Sequence, residues 1–297
     1  MNKNLIGSAM ISIALLIFSG VQLYIAKVAP RSVAPETNAA VADQNSNVSQ
    51  EEVMPSNGVA LPVTWGDLGK RLVASGVIDE AQFKALYAGR GGIPTDMQTL
   101  LDSSSSGQLV ITQQNAATLL NLLWAFGLAN KNPILENGPM RDPQYGGAGR
   151  FASTGGWTLA QGDVMAHYGA HAFVTLASDE QALVERVAKN IYRPCCGNSV
   201  YFPDCNHGMA MLGLLEIMAA QGATEDQMYK AALAVNSYWF PDNYLTIAQY
   251  LKSKGIDWSA VNPKDILAAN FSSAQGYQQI VAQTQPVQSK SSGGCGV

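Results

Sequence analysis

From Ser178 to Lys254 the chain is cut into helical lengths by its own punctuation, and this limits the folds open to it. Ser178-Asp-Glu-Gln181 has the form of a capping box and opens a run to Tyr192 that Pro194 stops. His207 to Gln221 is apolar at helical period and ends at Gly222. Thr224 caps the next run, to Trp239, with Pro241 behind it. Asp242–Lys254 and Pro263–Ala269 complete the set. Short connections favour antiparallel neighbours.

Upstream, Thr64-Trp-Gly-Asp67 has capping-box form and predicts a helix through Val73, with a second over Asp79–Ala88. Leu109–Ile111 reads as a short strand. Thr112 caps a long apolar helix, Gln113–Ala129, and Leu159–Phe173 reads as helical. Asn137–Trp157, rich in Gly, Pro and Arg, has no period. Stretches of that length are often functional, and Arg141, Tyr145, Arg150, Phe151 and Trp157 are its candidate contacts to a protein partner. Its Gly146–Gly149 run lacks the Lys-Ser/Thr ending of a phosphate loop. The expected architecture is mainly α, a multi-helix, bundle-like globular domain over residues 62–283.

Leu5–Ala26 carries no charged residue and is broken only by Ser8, Ser12, Ser19 and Gln22. About 20 apolar residues span a bilayer as a helix. The positions where a signal peptidase would cut, after Ala29 or Ala34, are each followed by proline. Residues 1–28 are therefore expected to form an uncleaved transmembrane anchor that exports the rest of the chain. Residues 29–61, with three prolines and no apolar period, read as a tether, and residues 284–297 as a disordered tail bearing Cys295. Charged residues are 13% of the chain and the net charge is −4, with no basic run. That excludes a nucleic-acid surface of the usual kind.

The chemistry is concentrated. Of four cysteines and three histidines, Cys195, Cys196, Cys205 and His207 fall in one short stretch. His167 and His171 lie upstream, four residues apart, a spacing that shares one face of a helix. Sulfur and imidazole donors together suit zinc, copper or an iron–sulfur cluster. The expected ligands are Cys195, Cys196, Cys205 and His207, with His167 and His171 as additional or supporting ones. The spacing is not that of a zinc finger, and Cys-x-x-Cys-His is absent. On the His207 helix, Met211, Leu214, Leu215 and Met218 continue a core-facing stripe, which leaves Glu216 on the opposite, solvated side. Two other uses of the cysteines stand beside the metal: a disulfide from Cys205 to Cys195 or Cys196 in a tethered binding module, and thiol redox chemistry. No Gly-x-Ser-x-Gly, His-Glu-x-x-His or Walker pattern names a reaction.

Cys196-x2-Ser199-x3-Pro203-x-Cys205, with its Phe202-Pro203 pair, resembles the central part of the CDGSH iron–sulfur motif. The resemblance implies an iron–sulfur cluster as one occupant. It spans ten residues. Cys195 and Cys196 are adjacent where that motif separates its first cysteines, Met209 stands where it places its histidine, and the Asp-Gly pair is missing.

Overall fold

The computed structural model describes residues 48–89 and 91–287. In chain order these form α1 (Gln50–Val53), β1 (Val59–Gly66), α2 (Leu68–Ala74), α3 (Glu80–Ala88), α4 (Thr95–Asp102), β2 (Ser105–Ile111), α5 (Ala116–Ala129), α6 (Pro133–Asn137), α7 (Ser178–Ala188), α8 (Asn206–Ala220), α9 (Glu225–Trp239), α10 (Pro241–Ser253), α11 (Pro263–Ile266), α12 (Ala269–Ser272) and α13 (Ala274–Val281). The fold is mainly helical, as expected. The apolar segment Leu5–Ala26, most of the expected tether and Cys295 lie outside the described residues. No helix among the described residues is long and apolar enough to cross a membrane.

At the centre, α5 and α8 are apolar on nearly every side and buried along almost their whole length. A helix of that kind belongs in an interior rather than at a surface. The two touch backbone to backbone. A Cβ placed on Gly127 would lie 2.2 Å from the Met209 carbonyl oxygen, and one on Gly213 would lie 2.8 Å from that of Leu123. Glycine is used here for closeness, not for turning. Around the pair, α7 packs against α8, and α9 against α5, α7, α8 and α10. The other flank is a two-stranded antiparallel sheet in which Val59 faces Ile111 and Thr64 faces Gln108. β1 buries alternate residues, Leu61, Val63 and Trp65, against the core, and the Trp65 Nε1–H donates to the Leu100 carbonyl at 2.9 Å.

Local signals survive where nothing competes with them. Thr224 caps α9 reciprocally with Gln227, and Asp79 caps α3. α9 ends at Trp239 ahead of Pro241, as expected, and Pro241 also opens α10 at its first turn, where its missing N–H costs nothing. Other expectations are corrected. Thr64 does not cap a helix: it lies in β1, and Gln221 holds its N–H at 2.9 Å and its carbonyl at 2.8 Å. Packed structure also begins before residue 62, because α1 carries its own Ser49–Glu52 capping box and buries Val53. α7 ends at Ala188, short of Tyr192. Leu159–Phe173 is not a helix: it holds one 3-10 turn, Val164–Ala166, between Gly162 at φ 79° and Gly169 at φ 60°. Left-handed residues do not continue a right-handed helix.

The central crossing sets a prediction. Alanine is favoured over glycine inside a helix by about 1 kcal/mol. At Gly127 the added methyl meets a carbonyl instead, so Gly127→Ala should destabilise the fold by about 1–3 kcal/mol. Urea unfolding checks it, and an unchanged or raised midpoint would contradict the close crossing.

Candidate metal centre

The site is assembled at the N-terminus of α8 by one buried cation. Arg193 follows α7 and is 1% exposed. Its Nη2 donates to Asp204 Oδ1 at 2.6 Å and to the Phe202 carbonyl at 3.3 Å. Its Nη1 donates to the Asn198 carbonyl at 3.0 Å, and its Nε to Cys205 Sγ at 3.1 Å. Asn198 closes the ring by donating to Asp204 Oδ2 at 2.8 Å. The loop from Pro194 to Asp204 is thereby wrapped around a guanidinium that spends its donors on it. A second set of bonds pins the same loop outward: Val200 N–H to the Ile191 carbonyl, Tyr201 N–H to that of Ala188, and Ala274 N–H to that of Cys196. Gly208 makes room for the cation, since a Cβ there would sit 2.5 Å from Arg193 Nη2.

Cys205 is the N-cap of α8, and its sulfur accepts the Gly208 N–H at 3.4 Å. Cys195 Sγ lies 3.9 Å from Cys205 Sγ. Ligand atoms of Cys195, Cys205 and His207 all fall within 4.8 Å of one another, and so do those of Cys196, Asp204 and Cys205. The three cysteines are free thiols. The His207 ring is buried against Phe240, centroids 4.4 Å apart, and edge-on to Trp239 at 5.6 Å. The site is thus walled by aromatic rings on the His207 side and open at Cys195, whose side is exposed.

The three sulfurs sit in unequal electrostatic surroundings. Hydrogen bonds from Cys195 and Cys196 hold the Cys205 thiol well below its ordinary pKa, helped by the Arg193 charge and His207 and opposed by burial. Cys195 is pushed up by hydrogen bonding with Cys196 and Cys205 and by burial. The Cys195 neighbour lowers Cys196, but Cys205 and burial outweigh it and raise Cys196 to about 11. Burial works against the charge on Arg193, and the sulfurs of Cys205 and Cys196 with Asp204 more than restore it. Of the three sulfurs, Cys205 is the one whose surroundings most favour loss of its proton, and the three influence one another.

Four of the six residues expected as ligands therefore converge. His167 and His171 do not belong to either close-set group of donor atoms. They pair with each other, Nδ1 to Nε2 at 3.0 Å, and the other nitrogen of His167 faces the Gln161 carbonyl at 3.2 Å. A carbonyl only accepts, so His167 carries its proton on Nε2 and, when neutral, receives at Nδ1 from His171. His171 lies flat against Phe173 at 5.1 Å, and burial, with the charge of His167, lowers its pKa. Of the irregular stretch Asn137–Trp157, Trp157 is a core residue bonded to the Val77 carbonyl, while Tyr145 and Phe151 form a three-ring cluster with Phe202, centroids 5.3–5.4 Å apart. Ser153 N–H binds the Asp204 carbonyl at 3.2 Å, so this stretch buttresses the cysteine loop.

Two residues escaped the sequence reading. Arg193 was visible only as a charge ahead of Pro194. Glu216, expected on the solvated side of its helix, is 0% exposed. Its signal was there: it is the one charged residue between Met209 and Ala220. Its Oε2 accepts from Asn130 Nδ2 at 2.6 Å, and Asn130 Oδ1 in turn takes the Val174 N–H at 2.9 Å. Burial holds its pKa well above the carboxylate range, only partly offset by the amides of Asn130 and Asn132. No family model, no curated protein and no solved structure matches the chain. Fold and site together define a helical protein with a clustered thiol and imidazole centre.

Glu216 makes the fold sensitive to pH. A group whose pKa is raised on folding contributes fully below its unfolded value, about 4.3, and that contribution is lost as pH rises toward the folded value. Glu216→Gln keeps the shape and removes the titration. Unfolding free energies measured from pH 5 to pH 8 should fall more steeply in the parent than in Glu216→Gln; parallel curves would mean that the carboxyl is not held neutral.

Proposed function

We propose that Cys195, Cys196, Cys205 and His207 bind one soft metal ion, and that the protein handles metal or passes electrons at that centre. The observation that carries this is the 3.9 Å between the Cys195 and Cys205 sulfurs. Two thiolates on one tetrahedral ion with bonds of about 2.3 Å stand about 3.8 Å apart. The donor spacing thus already matches a shared ion and needs little rearrangement. Three sulfurs and one imidazole form a soft set suited to zinc or copper(I). A divalent ion with three thiolates leaves one net negative charge, and the buried Arg193 guanidinium offsets it.

The proposal extends to where the centre works. Leu5–Ala26 would anchor the chain in a membrane, with the helical body on the extracytoplasmic side. What supports this is the length and lack of charge of that segment. Cys195 faces solvent, so an ion would be exchanged from that side without opening the core.

Elemental analysis of the purified chain tests the reading: zinc or copper should be present near one per chain. Cys205→Ser should abolish retention and His207→Gln should weaken it, while His167→Gln with His171→Gln should leave it unchanged. Cobalt substitution should give sulfur-to-metal absorption in the parent only. Metal at a hundredfold excess over its dissociation constant should add about 2.7 kcal/mol of stability. Unchanged metal content in Cys205→Ser would reject the proposal.

A further inference from the structure

Two of the sulfurs are placed for a second chemistry when no ion lies between them. We propose that Cys205 and Cys195 form a peroxide-reactive pair, in which a hydroperoxide oxidises Cys205 and Cys195 closes the product to a disulfide. The inference deepens the metal reading and rests on it only for its consequence, the release of the ion.

Three observations carry it. First, Cys205 Sγ receives two fixed N–H donors, Arg193 Nε at 3.1 Å and Gly208 N at 3.4 Å. Two fixed donors hold that sulfur in place and favour negative charge on it. Second, Cys195 Sγ is 3.9 Å away and exposed, so a small oxidant reaches the pair from solvent. A disulfide needs about 2.05 Å, and a short side-chain rotation closes such a gap. Third, Cys196 is less exposed than Cys195, and its sulfur also faces the Asn198 carbonyl at 3.9 Å. Arg193 holds the carbonyls of both Asn198 and Phe202, which keeps the two ends of the loop together while the bond forms.

The steps balance. The Cys205 sulfur attacks the terminal oxygen of the hydroperoxide and the O–O bond breaks. An alcohol leaves, or water when the oxidant is hydrogen peroxide, and Cys205 becomes a sulfenic acid. Sulfur has lost two electrons and the peroxide has gained them. The Cys195 sulfur then attacks the Cys205 sulfur, the S–O bond breaks, and the departing hydroxide takes the Cys195 proton as water. In sum, two thiols and one hydroperoxide give one disulfide, one alcohol and one water. A disulfide removes two of the four donors, so an ion held there is released.

The test treats the reduced, metal-free full chain with hydrogen peroxide and maps its peptides without reduction. The expected product is a Cys195–Cys205 link with the loss of two hydrogens. Cys196→Ser should still form it. Cys195→Ser should stop at a Cys205 sulfenic acid, trapped by dimedone. Arg193→Lys, with its fold checked by circular dichroism, should slow oxidation by about tenfold, the weight of one charge-assisted hydrogen bond. In zinc-loaded chain, ion release should keep pace with disulfide formation. A dominant link through Cys196, or a Cys205 that reacts no faster than free cysteine, would overturn the proposal. The two readings fail separately. A chain that forms the link but never retains zinc removes the metal reading alone; one that retains zinc and resists peroxide removes this one.

Discussion

A guanidinium with 1% exposure is expensive to bury, and the fold around the cysteines is organised so that it is never left unpaired. Arg193 is met by a carboxylate, two main-chain carbonyls and a sulfur. Each partner comes from the stretch between Asn198 and Cys205, so the same bonds that compensate the charge fold the loop. Without the cation, Asp204 Oδ1 and the carbonyls of Asn198 and Phe202 would each lose a donor. Cys195 and Cys196, which follow directly behind Pro194, would lose the geometry that brings them over Cys205. The thiol cluster is therefore a consequence of a buried ion pair, and the ion pair is tolerable because Gly208 leaves space for it.

The other half of the site is rigid for a different reason. Cys205 and His207 stand at the first turn of a helix whose backbone lies directly on α5. The glycine crossing fixes α8 along its length, so its N-terminus has little freedom to move. One side of the centre is therefore a rigid helix end, and the other is a loop held by hydrogen bonds. Sites mounted this way keep their donors close to a productive geometry without the ligand having to impose it. The cost is concentrated in Glu216, two turns further on, where a carboxyl is kept among apolar neighbours and amides. Through Asn130 it reaches the Val174 N–H, and so ties the strap that carries His171 and Phe173 to the central pair.

How much of this was legible in the sequence follows from how local each signal is. Thr224, Asp79 and Gly222 act on their own neighbours, and their caps and stops appeared as read. The strand at Leu109–Ile111 was found but too short, because its extent is decided by pairing with β1, a contact across nearly fifty residues of chain. The same pairing explains Thr64, whose capping-box spelling is local and whose backbone is claimed by the sheet and by Gln221. Leu159–Phe173 carries helical spacing of its histidines, yet two glycines in left-handed conformation override it. The donor groups that lie near one another at the centre, Cys195, Cys196, Cys205 and His207, are also close in sequence. The convergence itself rests on Arg193, whose partners are invisible to any periodicity. Glu216 was misplaced by a stripe argument that assumes one wet face; α8 has none.

The centre's two sides differ in a way that bears on its chemistry. Toward His207 the rings of Trp239 and Phe240 exclude water, which strengthens every charge interaction on that side. Toward Cys195 the site is wet. A charge placed on Cys205 lies at the boundary, held by Arg193 from within and by two thiols beside it. An ion bound as proposed would meet Cys195 first and end against the aromatic wall behind His207. An oxidant arriving by the same route meets the same two sulfurs. On the two proposals together, metal retention and thiol oxidation would draw on the same two sulfurs, so that oxidation of a loaded centre and release of its ion would go together.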